Sequence, residues 1–109
     1  MKSEEKIRDL QIAEHNMQQL LMQKQSFQAQ LLEVESAQQE IKSSDTIYKV
    51  VGGLMLKAKK EDVEKELKEK AEILSLRLKN IEKQEEAAQQ RVIKLREEIL
   101  QKIKEKERK

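Results

Sequence analysis

The chain has 109 residues, of which 40% are charged and only 2% aromatic, and it contains no Pro, Cys or Trp. This composition is typical of coiled coils and long helices rather than of a compact globular domain, with disorder as the alternative. The lack of cysteine excludes disulfides and thiol chemistry, and a net charge of +2 gives no strong attraction to nucleic acid or membranes. No apolar run approaches the roughly 20 residues of a membrane span. Because the first six residues also lack the apolar core of a secretion signal, the sequence predicts a cytoplasmic protein.

Residues 3–43 are predicted to form one helix, since apolar residues recur there at alternating spacings of three and four. No Pro or Gly interrupts the stretch, and Lys24 and Gln38 are the polar interruptions of its seam. The short polar side chains of residues 42–45 compete for backbone hydrogen bonds and are predicted to end the helix. The apolar seam consists of Leu10, Ala13, Met17, Leu20, Phe27, Leu31, Val34 and Ile41.

A β-hairpin is predicted next, with strands at residues 46–51 and 53–58 and a tight turn at Gly52-Gly53, where glycine tolerates a positive φ. A lone two-stranded hairpin is marginal in water, so its edges and apolar side chains are predicted to pair with strands of other subunits. The residues assigned to this oligomerisation element are Ile47, Tyr48, Val50, Val51, Gly52, Leu54, Met55 and Leu56.

A second helix is predicted from about residue 61 to 107, with Glu61 and Asp62 complementing the positive end of its dipole. Because its seam matches the first in length, the two helices are predicted to close on each other as an antiparallel coiled coil. Facing residues then have numbers that add up to roughly 104, so that an ion pair between Lys24 and Glu85 requires an offset. The second seam consists of Leu67, Ala71, Leu74, Leu78, Ile81, Glu85, Ala88, Val92, Leu95 and Ile99.

No constellation of residues predicts catalysis, a metal site or a cofactor. His15 is the only histidine and falls on the outer face of the first helix, which predicts a solvated side chain. Tyr48 has no titrating partner in its stretch, and Gly52-Gly53 is not part of a phosphate-binding loop. The sequence therefore predicts a protein that is not an enzyme.

Several apolar residues miss the seams, and two interpretations of them stay open. Scattered exposed aliphatic side chains are normal on any protein, whereas a cluster at the free end of the arm would mark a binding surface. By height along the arm, Ile12 is expected near Ile93. Leu32, Ile73 and Leu76 lie nearer the hairpin, where another subunit is expected to cover them. The residues toward the free end are Ile7, Ile12, Leu21, Met22, Ile93, Leu100 and Ile103.

The pattern Asp-x-x-Tyr-Lys-x-Val-Gly from Asp45 to Gly52, followed by Leu-Met-Leu-Lys at residues 54–57 and flanked by two helices, resembles the beta class of archaeal-type prefoldin. The resemblance covers nearly the whole chain. The alpha class, by contrast, has two hairpins between its helices. One departure is the second glycine of Gly52-Gly53, where the family usually has one, and it leaves the turn register open.

The resemblance implies a mainly α fold: an antiparallel two-helix coiled coil with one central β-hairpin that joins a β-barrel shared between subunits. It implies one domain, with helices at 1–44 and 60–109 and the hairpin at 45–59. It also implies a hexamer of two alpha and four beta subunits, whose coiled-coil ends hold non-native proteins without ATP and pass them to a group II chaperonin.

The sites that follow from the resemblance lie toward both chain ends. Alternatives remain: a structural coiled coil that oligomerises without binding clients, and, for the basic tail, a frayed helix end. The client-binding residues would be Ile7, Leu10, Ile12, Ile99, Leu100 and Ile103. The residues that contact the chaperonin would be Lys102, Lys104, Lys106, Arg108 and Lys109.

Overall fold

The computed structural model describes residues 2–107 and shows two long helices that flank a two-stranded antiparallel hairpin. The elements are α1 (Lys2–Lys42), β1 (Ile47–Val51), β2 (Leu54–Ala58) and α2 (Lys60–Glu107). This confirms the predicted mainly α fold with one hairpin. Over its described residues, neither helix has a segment long and apolar enough to cross a membrane.

The predicted seams are confirmed by burial, because every side chain assigned to them is buried or half-buried. The alternation of three and four places these residues along one stripe of each helix, where they meet a partner helix. Six of them are buried to less than a tenth of their surface: Ala13, Ile41, Leu74, Ile81, Val92 and Leu95.

The chain forms two compact units. The terminal unit contains the residues up to Gln25 and those from Asn80 onward, and the hairpin unit is Ser26–Lys79. That the whole chain is a single domain stays a prediction.

In the terminal unit, α1 and α2 are antiparallel. Ala13 of α1 forms a buried cluster with Val92 and Leu95 of α2. Lys6 pairs with Glu98, and farther along α1 Lys24 pairs with Glu85. As residue numbers rise on one helix they fall on the other, as predicted. The numbers of Lys24 and Glu85 add up to more than 104, so this pair shows the offset that the sequence analysis required for it.

In the hairpin unit, α1 ends at Lys42 because side chains satisfy its last carbonyl groups. The hydroxyls of Ser43 and Ser44 each donate to the carbonyl oxygen of Glu40 at 3.1 Å, and the Lys60 ammonium donates to that of Lys42 at 3.2 Å. The helix thus ends two residues before the predicted boundary at 44.

The turn consists of Gly52 and Gly53, both with positive φ, at 54° and 80°. Two central residues of this kind, in a two-residue loop, are the signature of a type I′ hairpin turn. The prediction that Gly53 starts the second strand is therefore wrong: both glycines are needed for the turn, and β2 begins at Leu54. The first strand likewise begins at Ile47 rather than at 46.

Candidate functional site

The hairpin is apolar on both of its faces. Side chains that pair across an antiparallel ladder share a face, and successive residues alternate between faces. One face carries Ile47, Lys49 and Val51 of β1 with Leu54, Leu56 and Ala58 of β2, and the other carries Tyr48 and Val50 with Met55 and Lys57.

The apolar side chains of the hairpin are largely exposed. Val50 and Leu54 are each 66% exposed and Met55 is 70% exposed, while Tyr48, Val51 and Leu56 are at least half exposed. Ile47, at the end of the hairpin next to the helices, is only half-buried. A two-stranded sheet cannot cover both of its own faces, so apolar side chains stay exposed on each of them.

Lys49 ties the hairpin to α2. Its ammonium donates to both carboxylate oxygens of Glu66, at 2.7 and 2.8 Å. The pair joins β1 to α2 at the surface, where both side chains are nearly half exposed. Sequence analysis missed it, because the partners are 17 positions apart and no periodic signal links a strand face to a helix face.

A groove of about 350 Å³ runs along one flank of the terminal unit. Met17 and Val92 of the seams line it together with the more exposed Leu21 and Ile93. Arg96 Nη2 lies 3.6 Å from Glu14 Oε1 in the same wall. The groove thus combines these four apolar side chains with polar and charged ones, which are Glu14, Gln18, Glu85, Gln89 and Arg96.

Three further aliphatic residues belong to the same flank by heptad position. Ile7 lies two heptads before Leu21 on α1, and Leu100 lies one heptad after Ile93 on α2. Ile103 lies one heptad after the groove residue Arg96. Residues that are whole heptads apart share a flank of a coiled coil. We call Ile7, Leu21, Ile93, Leu100 and Ile103, which are between 40% and 57% exposed, the apolar stripe.

Ile12 lies on the other flank of the seam. It lines a smaller cavity of about 110 Å³ with Asp9, Asn16 and Arg91, none of which borders the groove. The expectation that Ile12 lies near Ile93 is therefore wrong in one respect: the two line different cavities on opposite flanks. That expectation used only the height of each residue along the arm and left out its angle around the helix axis, which decides the flank.

The remaining residues assigned to client binding, Leu10 and Ile99, are half-buried. Leu10 packs against the buried cluster of Ala13, Val92 and Leu95. Leu10 and Ile99 are thus packed in the seam between the helices. The other predicted client-binding residues are 45% to 57% exposed; these are Ile7, Ile12, Leu100 and Ile103.

The basic residues toward the end of α2 are partly described. Lys102 is half-buried, and Lys104 and Lys106 are exposed. The predictions at Arg108 and Lys109 fall outside the described residues. Leu32, Ile73 and Leu76 of the hairpin unit are more than half exposed within the single chain.

His15 is exposed, as predicted, and its Nε2 lies 3.2 Å from the side-chain amide of Gln19. Residues 2–107 contain no group of His, Cys, Asp and Glu that could hold a metal ion. The hairpin and the apolar stripe are the candidate surfaces because they leave apolar side chains exposed.

Comparison with known proteins identifies this arrangement. A family model described as prefoldin subunit matches residues 4–106. The chain belongs to the prefoldin family. Prefoldin subunits are chaperone components rather than enzymes, and they work in multi-subunit complexes.

The relatives place the chain with the beta class, as the resemblance predicted. Prefoldin subunit beta of Archaeoglobus fulgidus is 33% identical over 96 residues, which cover 85% of this chain and 83% of that protein. The subunit of Methanococcoides burtonii is 39% identical over 95 residues, with 84% and 81% covered. A crystal structure of the prefoldin beta subunit from Thermococcus strain KS-1 superposes with a TM-score of 0.84 at 33% identity, covering 90% of this chain and 89% of that one.

Proposed function

We propose that this prefoldin subunit holds non-native proteins at the apolar stripe, without ATP, and passes them to a group II chaperonin in the cytoplasm. The observation that carries the proposal is the one-sided stripe: five aliphatic side chains stay 40% to 57% exposed beside a helix pair that already has its own core. Folding of the chain gains nothing from leaving these groups in water. Binding of exposed apolar segments of unfolded proteins would gain from it.

The strength of each contact suits temporary binding. Burying one Leu or Ile side chain completely contributes about 1.5–3 kcal/mol, and the stripe residues are already half covered. One stripe would therefore bind a client weakly. Several stripes in one complex would raise the effective concentration and hold the client by avidity, while each contact remains weak enough for release.

Assembly would depend on the hairpin. In the proposed hexamer of two alpha and four beta subunits, the exposed faces of β1 and β2 become part of a shared β-barrel. The exposed apolar side chains and the open strand edges of the hairpin support this role, because a closed barrel pairs the edges and covers the side chains that point into it. The basic residues Lys102, Lys104, Lys106, Arg108 and Lys109 would contact an acidic surface of the chaperonin.

The test compares two sets of serine substitutions in complexes assembled with an alpha subunit. The stripe variant carries Ile7→Ser, Leu100→Ser and Ile103→Ser, and the control carries Ile12→Ser and Met22→Ser on exposed positions outside the stripe. Light scattering records the aggregation of a chemically unfolded client after dilution. The stripe variant should lose most of the suppression, and adding Ile12→Ser should remove little more.

Assembly and helicity should be the same in both variants, because every changed side chain is exposed. If the stripe variant suppresses aggregation as well as the unchanged chain, the stripe is not the client site. If the unchanged complex assembles fully but suppresses no aggregation, the alternative of a structural coiled coil without clients is the better account, and the exposed hairpin would explain its assembly.

A further inference from the structure

The seam between α1 and α2 contains one ion pair among apolar residues. Lys24 Nζ lies 3.1 Å from Glu85 Oε1, and the two side chains are only 25% and 22% exposed. Both occupy positions that the heptad pattern reserves for apolar residues. Replacing a covered ion pair by apolar residues of similar volume is often neutral or stabilising, because two charges lose much of their hydration when a seam covers them. Stability alone therefore does not explain why a charged pair stands here.

A polar residue at a seam position selects which helix pairs with which. Among the described residues of α1, Glu85 has no counterpart: the seam of α1 contains basic and neutral residues but no carboxylate. In a pair of two α1 helices, Lys24 would thus enter the seam without an acidic partner, and in a parallel pair it would face a second Lys24. Two parallel α2 helices would likewise bring two Glu85 carboxylates together.

The wrong pairings are a real hazard for this chain. A complex of several subunits brings identical amphipathic helices to high local concentration, and their remaining seams are mutually compatible because they share the same apolar repeat. The hydrophobic seam alone does not distinguish α1 from α2. A single complementary charge pair does.

We propose that Lys24 and Glu85 are a pairing-specificity device, which directs α1 to α2 and prevents α1 of one subunit from pairing with α1 of another. The device lies in the terminal unit and acts on the helices themselves. It is independent of whether the stripe binds clients.

Disulfide capture in the full chain tests this proposal, because the sequence has no cysteine of its own. Ala13 lies in the seam and faces Val92 and Leu95 in the native pair. Ala13→Cys therefore finds no second thiol unless two α1 helices of different chains pair in parallel. The fraction of chains linked into dimers under mild oxidation then reports the wrong pairing.

Three backgrounds are compared: the unchanged seam, the apolar double variant Lys24→Leu/Glu85→Leu, and the exchanged variant Lys24→Glu/Glu85→Lys. The apolar variant should raise the linked fraction about tenfold, since it removes the selecting charges. The exchanged variant should stay at the level of the unchanged seam, because opposite charges still meet. Circular dichroism checks that each variant is helical.

Val92→Cys in the same three backgrounds reports pairing between two α2 helices. Its linked fraction should again be highest in the apolar variant and low in the other two. The proposal is overturned if the apolar variant links no more than the unchanged seam. It is also overturned if the exchanged variant links as much as the apolar one, since complementary charge would then not be the selecting feature.

Discussion

The hairpin and the terminal helix pair show two ways of handling apolar residues in a chain that has few of them. The hairpin leaves Val50, Leu54 and Met55 about two-thirds exposed, because its single two-stranded sheet has no second layer packed on it. The helix pair buries Ala13, Val92 and Leu95 against each other and leaves a stripe on one flank. Exposure thus has different meanings in the two regions: the hairpin lacks a core of its own, whereas the stripe is what remains after a core has formed.

The largest effect should come from a charge in the hairpin. Val50→Asp would place a carboxylate on an apolar face that we expect to be buried between subunits, where an unpaired charge is strongly unfavourable. Light scattering should show loss of the assembled species, while circular dichroism of the helices stays nearly unchanged. Thr46→Asp, just outside β1, is the matched control and should assemble normally. An unchanged mass for the Val50 variant would show that this face is not an interface.

Within the helix pair, core and stripe should respond differently to the same truncation. Leu95→Ala removes a buried side chain and should lower the free energy of unfolding by about 2–5 kcal/mol. Leu100→Ala, five residues later and 57% exposed, should change it by less than about 0.5 kcal/mol. Urea unfolding followed by circular dichroism, at one protein concentration, measures both. Equal losses would mean that Leu100 is part of the core and not of a free stripe.

The seams and the hairpin could be predicted because both depend on local periodicity. The alternation from Leu10 to Ile41 requires only the helical repeat, and the cluster around Gly52-Gly53 requires only turn chemistry. The contact of Lys49 with Glu66 could not be predicted, since it depends on how a strand leaves a helix. The flank of Ile12 could have been predicted: its heptad position separates it from Leu21, a distinction that height along the arm does not make.

A smaller effect is expected at the turn. Gly52→Ala should weaken the hairpin by about 1 kcal/mol, since a side chain at φ 54° strains the backbone. An added Cβ at Gly52 meets no atom within 4 Å, so the loss would come from the backbone alone. Gly52→Asn should cost less, because Asn tolerates this conformation and Asn-Gly favours the type I′ turn. The urea concentration that dissociates the complex measures both; equal losses would exclude backbone strain as the cause.

The smallest effect should come from an ion pair at the surface of the helix pair. A hydrogen bond from Lys6, at 2.9 Å, lowers the pKa of Glu98 below its ordinary value of 4.5. A carboxyl group whose pKa is lowered on folding stabilises the fold above its unfolded pKa, and this contribution is lost as the pH falls below 4.5 through the folded pKa. Glu98→Gln should therefore lower the Tm slightly at pH 7, and by less as the pH falls below 4.5. Glu97→Gln makes the same change of charge and leaves the Lys6 contact in place, so it should not show this pH dependence. If both variants lose the same Tm at pH 7, the contact between Lys6 and Glu98 contributes nothing beyond general charge.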